Sequence, residues 1–194
     1  MRSKRRILVL GYLAILGASI GATLGLTDGG SAAASDAPYA GWQARPVKGL
    51  SQGQVDDLLS GRGMGLALPA ELNGYPGPRH VLDLAARLEL SPEQRGRTKA
   101  LFEEMRARAV VLGERIVAGE QALDRLFETG RASDVTIGDA TLEIGRLQGE
   151  LRALHLGYHL AMRDELTTDQ IATYRRLRGY GAHVGRPHGH SGRH

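Results

Sequence analysis

The sequence predicts an all-α protein built on one long antiparallel helical hairpin with short flanking helices. Three observations carry that prediction. A five-residue pattern, leucine, hydroxyl residue, two free positions, glutamine, occurs as LSQGQ at 50–54, LSPEQ at 90–94 and LTTDQ at 166–170. Two apolar stripes with steps of three and four lie on either side of a turn signal at 129–133. Leucine, alanine and arginine are abundant, beside glycine, in a chain of 194 residues with 5% aromatics, a composition of helical hairpins rather than of a large globular core. There is no cysteine, which excludes disulfides, thiolate metal sites and cysteine catalysis.

The N-terminal stretch MRSKRR runs into uncharged, largely apolar residues from Ile7 to Leu26. A basic start before such a run directs the chain to a membrane with its N-terminus inside, so the remainder is expected in the periplasm. Two fates are open for residues 1–34. Ala32-Ala33-Ala34 offers a small-residue site for cleavage of a signal peptide. The run is also long enough to span a bilayer as an uncleaved anchor, and Gly17, Gly21 and Gly25 recur at the spacing that lets membrane helices approach closely.

Residues 35–79 are expected to hold a tether, a short helix and a Gly/Pro-rich connection. The stretch 27–49 reads as tether because it is rich in Gly, Ala, Ser and Asp. LSQGQ then starts a helix over 51–60 that Gly61 closes. In such a box the Ser or Thr oxygen accepts from the backbone N–H three residues on. The glutamine reaches back to the cap's own N–H, and the exchange contributes about 1 kcal/mol. The preceding leucine is placed to staple against the residue after the glutamine, Val55 in the first copy and Ile171 in the third; in the second that position is Arg95. GMGLALPAELNGYPGPRH at 63–80 is too rich in Gly, Pro and Asn for a long element and reads as an ordered irregular connection.

The hairpin is expected over 80–178. Val81, Leu84, Ala85 and Leu88 keep helical spacing up to LSPEQ, where Pro92 suits the first helical position. From there Leu101, Met105, Ala109, Leu112, Ile116, Leu123 and Phe127 form one stripe, ending at Gly130. Ser133 or Asp134 caps the return helix, whose stripe is Ile137, Ala140, Ile144, Leu147, Leu151, Leu154, Tyr158 and Ala161. LTTDQ breaks that stripe and starts a final helix, Thr168 to Arg178, that hooks over the hairpin's end. A lone hairpin buries little surface, so a homodimer is expected. Residues 179–194 form a tail rich in His and Arg.

Charge is distributed unevenly. Residues 1–34 hold four basic and one acidic side chain, and 171–194 hold five arginines and no acid. The body between them is mildly acidic, so it lacks the basic face that nucleic-acid binding requires.

LSPEQ and LTTDQ bracketing a helical hairpin in an exported, cysteine-free chain resemble the LTxxQ family. That family includes Spy- and CpxP-type periplasmic chaperones and CnrX- and ZraP-type metal-responsive proteins. The resemblance covers roughly residues 80–178. It implies a hooked, cradle-shaped, dimeric all-α fold, with ATP-independent protection of unfolded envelope proteins or metal sensing coupled to an envelope stress pathway. AELNGYPGPRH also resembles a stretch of the Spy/CpxP-like branch, to which no chemistry is assigned here.

The strongest ligand-like constellation is HLGYHLAM at 155–162. His155, His159 and Met162 share one helix edge, and imidazoles at that spacing can hold Zn²⁺, Ni²⁺ or Cu²⁺, with a thioether favouring copper. The alternative is a pair of hydrogen-bonding histidines at a hairpin edge. The tail adds His183, His188, His190 and His194, a chelating tract or simply a soluble one. His80, beside Arg79 at a helix start, reads as a cap. No nucleophile elbow and no phosphate-cradling glycine motif is present, so no enzyme is expected and no cofactor is required. The expected role is that of a Spy/CpxP-like chaperone. Its alternative is a membrane-anchored periplasmic metal sensor acting on a regulatory partner.

Overall fold

Four helices open on the same exchange of hydrogen bonds in the computed structural model, which describes residues 37–180. The membrane-directed segment and the tail histidines lie outside those residues. The elements are a 3₁₀ turn (Trp42–Ala44), α1 (Gln52–Leu59), α2 (Leu68–Glu71), α3 (Pro78–Asp83), α4 (Pro92–Glu128), α5 (Asp134–Asp164) and α6 (Thr168–Leu177). No strand occurs among the described residues, and none of their helices is long and apolar enough to cross a membrane.

All three predicted boxes form. Ser51 Oγ accepts from the Gln54 N–H at 3.2 Å while Gln54 Oε1 accepts from the Ser51 N–H at 2.8 Å, and Ser91 with Gln94 and Thr167 with Gln170 repeat the pattern. A fourth box sits at Ser133, where the Thr136 hydroxyl replaces the amide. Gly61, Gly130 and Gly179 follow α1, α4 and α6 with φ of 68°, 66° and 75°. After α4, the Gly130 N–H reaches Phe127 O and the Arg131 N–H reaches Leu126 O, a Schellman ending that only a left-handed residue permits at low cost.

The second and third boxes also bind each other. Gln94 Nε2 donates to Gln170 Oε1 at 2.9 Å and Gln170 Nε2 donates to Gln94 Oε1 at 3.0 Å, a closed amide pair. Their remaining N–H groups reach Glu165 O at 2.8 Å and Leu88 O at 3.2 Å. Each amide thereby uses two donors and two acceptor positions, its full capacity. This explains glutamine where a cap alone would accept glutamate. Gln170→Glu retains oxygens for the cap but loses both donors, and is expected to lower the unfolding free energy by about 1–3 kcal/mol. Urea denaturation of wild type, the Gln170→Glu variant and the Gln94→Glu/Gln170→Glu double variant checks this. An unchanged midpoint would mean that the pair contributes nothing beyond capping.

α4 and α5 pack along most of their length, and α1 crosses α4. Two apolar clusters result. The first joins Val47, Leu50 and Leu58 to Ala109, Ile116, Val117, Leu147 and Leu151; the second joins Val81, Ala85, Leu88 and Leu90 to Met162, Leu166 and Tyr174. Each leucine that precedes a predicted box is buried in one of these clusters, with Val55 packed against the first and Ile171 against the second. Leu90 is buried although its expected partner position is Arg95. Tyr174 carries α6 over the base of the hairpin, as the hook requires.

Three details of the fold differ from the sequence reading. The helix expected to run through Leu88 up to LSPEQ ends at Asp83, and the chain turns over 84–89 with Glu89 at φ 50°. The tether does not extend to residue 49, because Val47 is 2% exposed and the Lys48 N–H donates to Asp124 Oδ2 at 2.7 Å. The seam also thins toward the turn: Phe127 is 60% exposed, and Val135 and Leu142 are more exposed still. At that end only two helices meet, and the segment before α1 touches α4 there through Lys48, which binds Asp124 and Glu128.

Candidate functional site: a histidine-lined cavity under the Gly/Pro connection

The connection after α1 forms a strap against the hairpin. Gly61, Met64, Gly65 and Gly74 all have positive φ, and Met64 at 44° adopts this conformation without glycine's freedom. Pro76 and Pro78 are fully buried, and Pro78 opens α3 at its first helical position. The helix therefore begins two residues before His80. Gly77 occupies the N-cap with no side-chain cap, so His80 does not cap the helix as expected.

The strap's anchor is Glu71, 5% exposed. Its Oε1 accepts from the Tyr174 hydroxyl at 2.5 Å and its Oε2 accepts from the Gly77 N–H at 3.2 Å. Arg178 Nε lies 3.3 Å from Oε1, an ion-pair distance without hydrogen-bond alignment. One buried carboxylate therefore ties the strap to α6. Burial, followed by the bond to Glu71, pushes the Tyr174 hydroxyl far above the usual phenol range.

His155 and His159 meet this strap from α5, and both are buried. His159 Nδ1 lies 2.7 Å from the Tyr75 carbonyl oxygen. A carbonyl can only accept, so Nδ1 carries the proton and, in the neutral ring, Nε2 keeps its lone pair. That Nε2 faces Gly77, where a Cβ would stand 2.8 Å away. His155 Nε2 is buried and has no hydrogen-bond partner. Burial, and then the neighbouring His159, holds the His155 ring below the ordinary imidazole range; burial, then Arg178, does the same for His80. His80, His155 and His159 line one cavity of about 590 Å³ with Met64, Phe102 and Met105 among its walls.

Of the predicted ligands, His155 and His159 are brought together and Met162 is not. One turn beyond His159, α3 and α6 close over the hairpin, and Met162 is fully buried among Val81, Leu88 and Tyr174. His183, His188, His190 and His194 lie outside the described residues. Sequence reasoning missed Glu71, the Tyr75 carbonyl, Met105 as a cavity residue and the position of His80. The available signal was AELNGYPGPRH, whose buried prolines and close glycine bring these groups against α5. Among the described residues, no group of three or more His, Asp or Glu side chains is disposed to hold a metal ion.

A second concavity, about 810 Å³, lies between α4 and α5 and shares no residue with the first. Its floor includes Leu112, Ala153, Leu154, Gly157 and Ala161, and Glu104, Arg108 and Glu150 stand among its walls. Ala153, Gly157 and Ala161 are offset by two residues from His155 and His159, about 200° around the helix, so α5 presents different faces to the two sites. Val111 lines this groove and is 55% exposed.

No protein-family model, no curated protein and no solved structure matches the chain.

Proposed function

We propose that the chain is a periplasmic, ATP-independent chaperone of the Spy/CpxP type that holds unfolded or misfolded envelope proteins. The observation that carries this reading is the groove between α4 and α5. The small residues Ala153, Gly157 and Ala161 line it together with Val111, Leu112, Leu154 and Tyr158, it is open to solvent, and charges of both signs stand beside it. A surface of that kind binds extended apolar segments weakly and without sequence readout. Mixed charge speeds encounter while the absence of a deep pocket keeps release fast. The capping boxes at the base and the LTxxQ resemblance support the same reading. A homodimer and export by the N-terminal segment belong to it.

The test uses the purified full chain with an unfolding client at stoichiometric ratio and without nucleotide. Wild type is expected to suppress aggregation. A Cβ at Gly157 would meet nothing within 4 Å, so Gly157→Trp can fill the groove without displacing the fold. That variant is expected to bind clients about tenfold more weakly, a loss near 1.4 kcal/mol, with unchanged helicity. No suppression by wild type, or equal suppression by the variant, would sink the proposal. Conversion of a dimer to a monomer by Gly157→Trp would mark the groove as a subunit contact instead and overturn it as the client site.

A further inference from the structure

We propose that the cavity under the strap binds a small hydroxylated aromatic acid, with its carboxylate on Arg106 at the mouth, its ring against Phe102 and Met105, and its hydroxyl on Nε2 of His155. The site is independent of the client groove, with which it shares no residue.

The buried end of the cavity is polar and uncharged. His155 is 3% exposed and its Nε2 has no hydrogen-bond partner, a buried polar atom that calls for a ligand group. Burial, and then His159, holds that ring below the ordinary imidazole range, so it meets a ligand in its neutral form. His159 adds a second nitrogen at this depth: the Tyr75 carbonyl accepts its Nδ1 proton, and in the neutral ring Nε2 keeps a lone pair that only a donor satisfies. The Glu71 carboxylate, buried in the same wall, lies 3.8 Å from His159 Nδ1 and repels an anion brought to this end. A hydroxyl both donates and accepts and carries no charge, which suits either imidazole.

The wall and the mouth set the rest of the ligand. Phe102 and Met105 stand three residues apart on α4 and both line the cavity. A flat ring gains from each, since aromatic rings pair edge to face and a thioether sulfur sits well at a ring edge. The volume of about 590 Å³ falls within the range of small-molecule sites, about 300–1,000 Å³. Three guanidinium groups stand in the wall, those of Arg62, Arg79 and Arg106. Arg62 pairs with Asp57 and Arg79 with Asp83, whereas Arg106 is exposed and has no carboxylate partner among the described residues. Its Nε donates to the Ser60 carbonyl at 3.3 Å, and Gly61 packs on its stem, where a Cβ would stand 3.3 Å from Cγ. The Arg106 head is thereby held beside the strap with its terminal nitrogens turned over to a ligand carboxylate, a pairing that guanidinium geometry favours.

The experiment is calorimetric titration of the full chain with para-hydroxyphenylpropionate as probe, and one bound equivalent is expected. Phenylpropionate, which lacks the hydroxyl, and para-ethylphenol, which lacks the carboxylate, should each bind about tenfold more weakly. His155→Leu keeps an apolar body in place of the ring and should remove the preference for the hydroxylated acid. Arg106→Gln should weaken both acids about tenfold and leave para-ethylphenol unchanged. A Cβ at Gly63 would meet the His155 ring at 3.9 Å, an ordinary contact, so Gly63→Leu can plug the cavity with the fold intact and should abolish binding of all three probes. Gly157→Trp, in the client groove, should change none of them. Circular dichroism checks that each variant keeps its helicity. No binding by wild type, undiminished binding by Gly63→Leu, a hydroxyl preference that survives His155→Leu, equal loss of acids and phenol in Arg106→Gln, or a loss in Gly157→Trp would each overturn the proposal.

Discussion

Gly113→Ala is expected to destabilise the protein by about 3 kcal/mol, although alanine in place of glycine in a helix interior ordinarily stabilises by about 0.5–1 kcal/mol. The reversal follows from how closely α1 crosses α4. A Cβ at Gly113 would lie 2.1 Å from Leu58 O and 2.6 Å from its carbonyl carbon. Both obstacles are backbone, so no rotamer change relieves the clash. α1 would have to move away, and Val47, Leu50 and Leu58 would leave the first cluster. Gly145 is the matched control, since a Cβ there meets nothing within 4 Å. Urea denaturation should show the two substitutions shifting the midpoint in opposite directions. Equal behaviour would mean that α1 does not press on α4 in solution.

Glu71→Ala is expected to cost about 3–5 kcal/mol, the range for deleting one partner of a buried ionic network. The side chain removes little apolar volume; the cost lies in what it abandons. The Tyr174 hydroxyl, the Gly77 N–H and Arg178 Nε all lose their carboxylate. Tyr174→Phe removes one of those contacts and should cost about 1–3 kcal/mol. The double variant should cost less than the sum, because the two side chains share a bond. A strictly additive double variant would show that the carboxylate and phenol do not interact. The raised pKa of Tyr174 gives a second readout. Its phenol stays protonated in the fold while the unfolded chain ionises near pH 10, so the contribution of Tyr174 is complete below that pH and declines as pH rises above it. Glu71→Ala should reduce this alkaline sensitivity.

The parts legible in the sequence are those governed by local spacing. A capping box spans three residues, a stripe repeats every three or four, and a Schellman ending needs one glycine. Ser51, Ser91, Thr167, Gly61 and Gly130 accordingly stand where the pattern put them. The amide pair of Gln94 and Gln170 joins residues 76 positions apart, and Tyr174 reaches Glu71 across 103. No local pattern encodes such meetings. His155 and His159 could be paired from their i,i+4 spacing alone. Met162 could not be excluded that way, since it lies on the same edge and only the covering helices decide that its surroundings are core. His80 looked like a cap because a basic residue near a helix start commonly is one. Its actual place depends on Pro76 and Pro78 being buried, which composition does not reveal.

The mutual grip of Gln94 and Gln170 has a mechanical consequence. It pins the starts of α4 and α6 together, while at the opposite extremity Phe127, Val135 and Leu142 face solvent and the bracing on α4 is the pairing of Lys48 with Asp124 and Glu128. Stiffness is therefore graded along the rods: amide protons should exchange slowly near the clamp and progressively faster toward the bend. The molecule is thus clamped at one end, and its loosest packing lies at the bend, the far end of the two long rods.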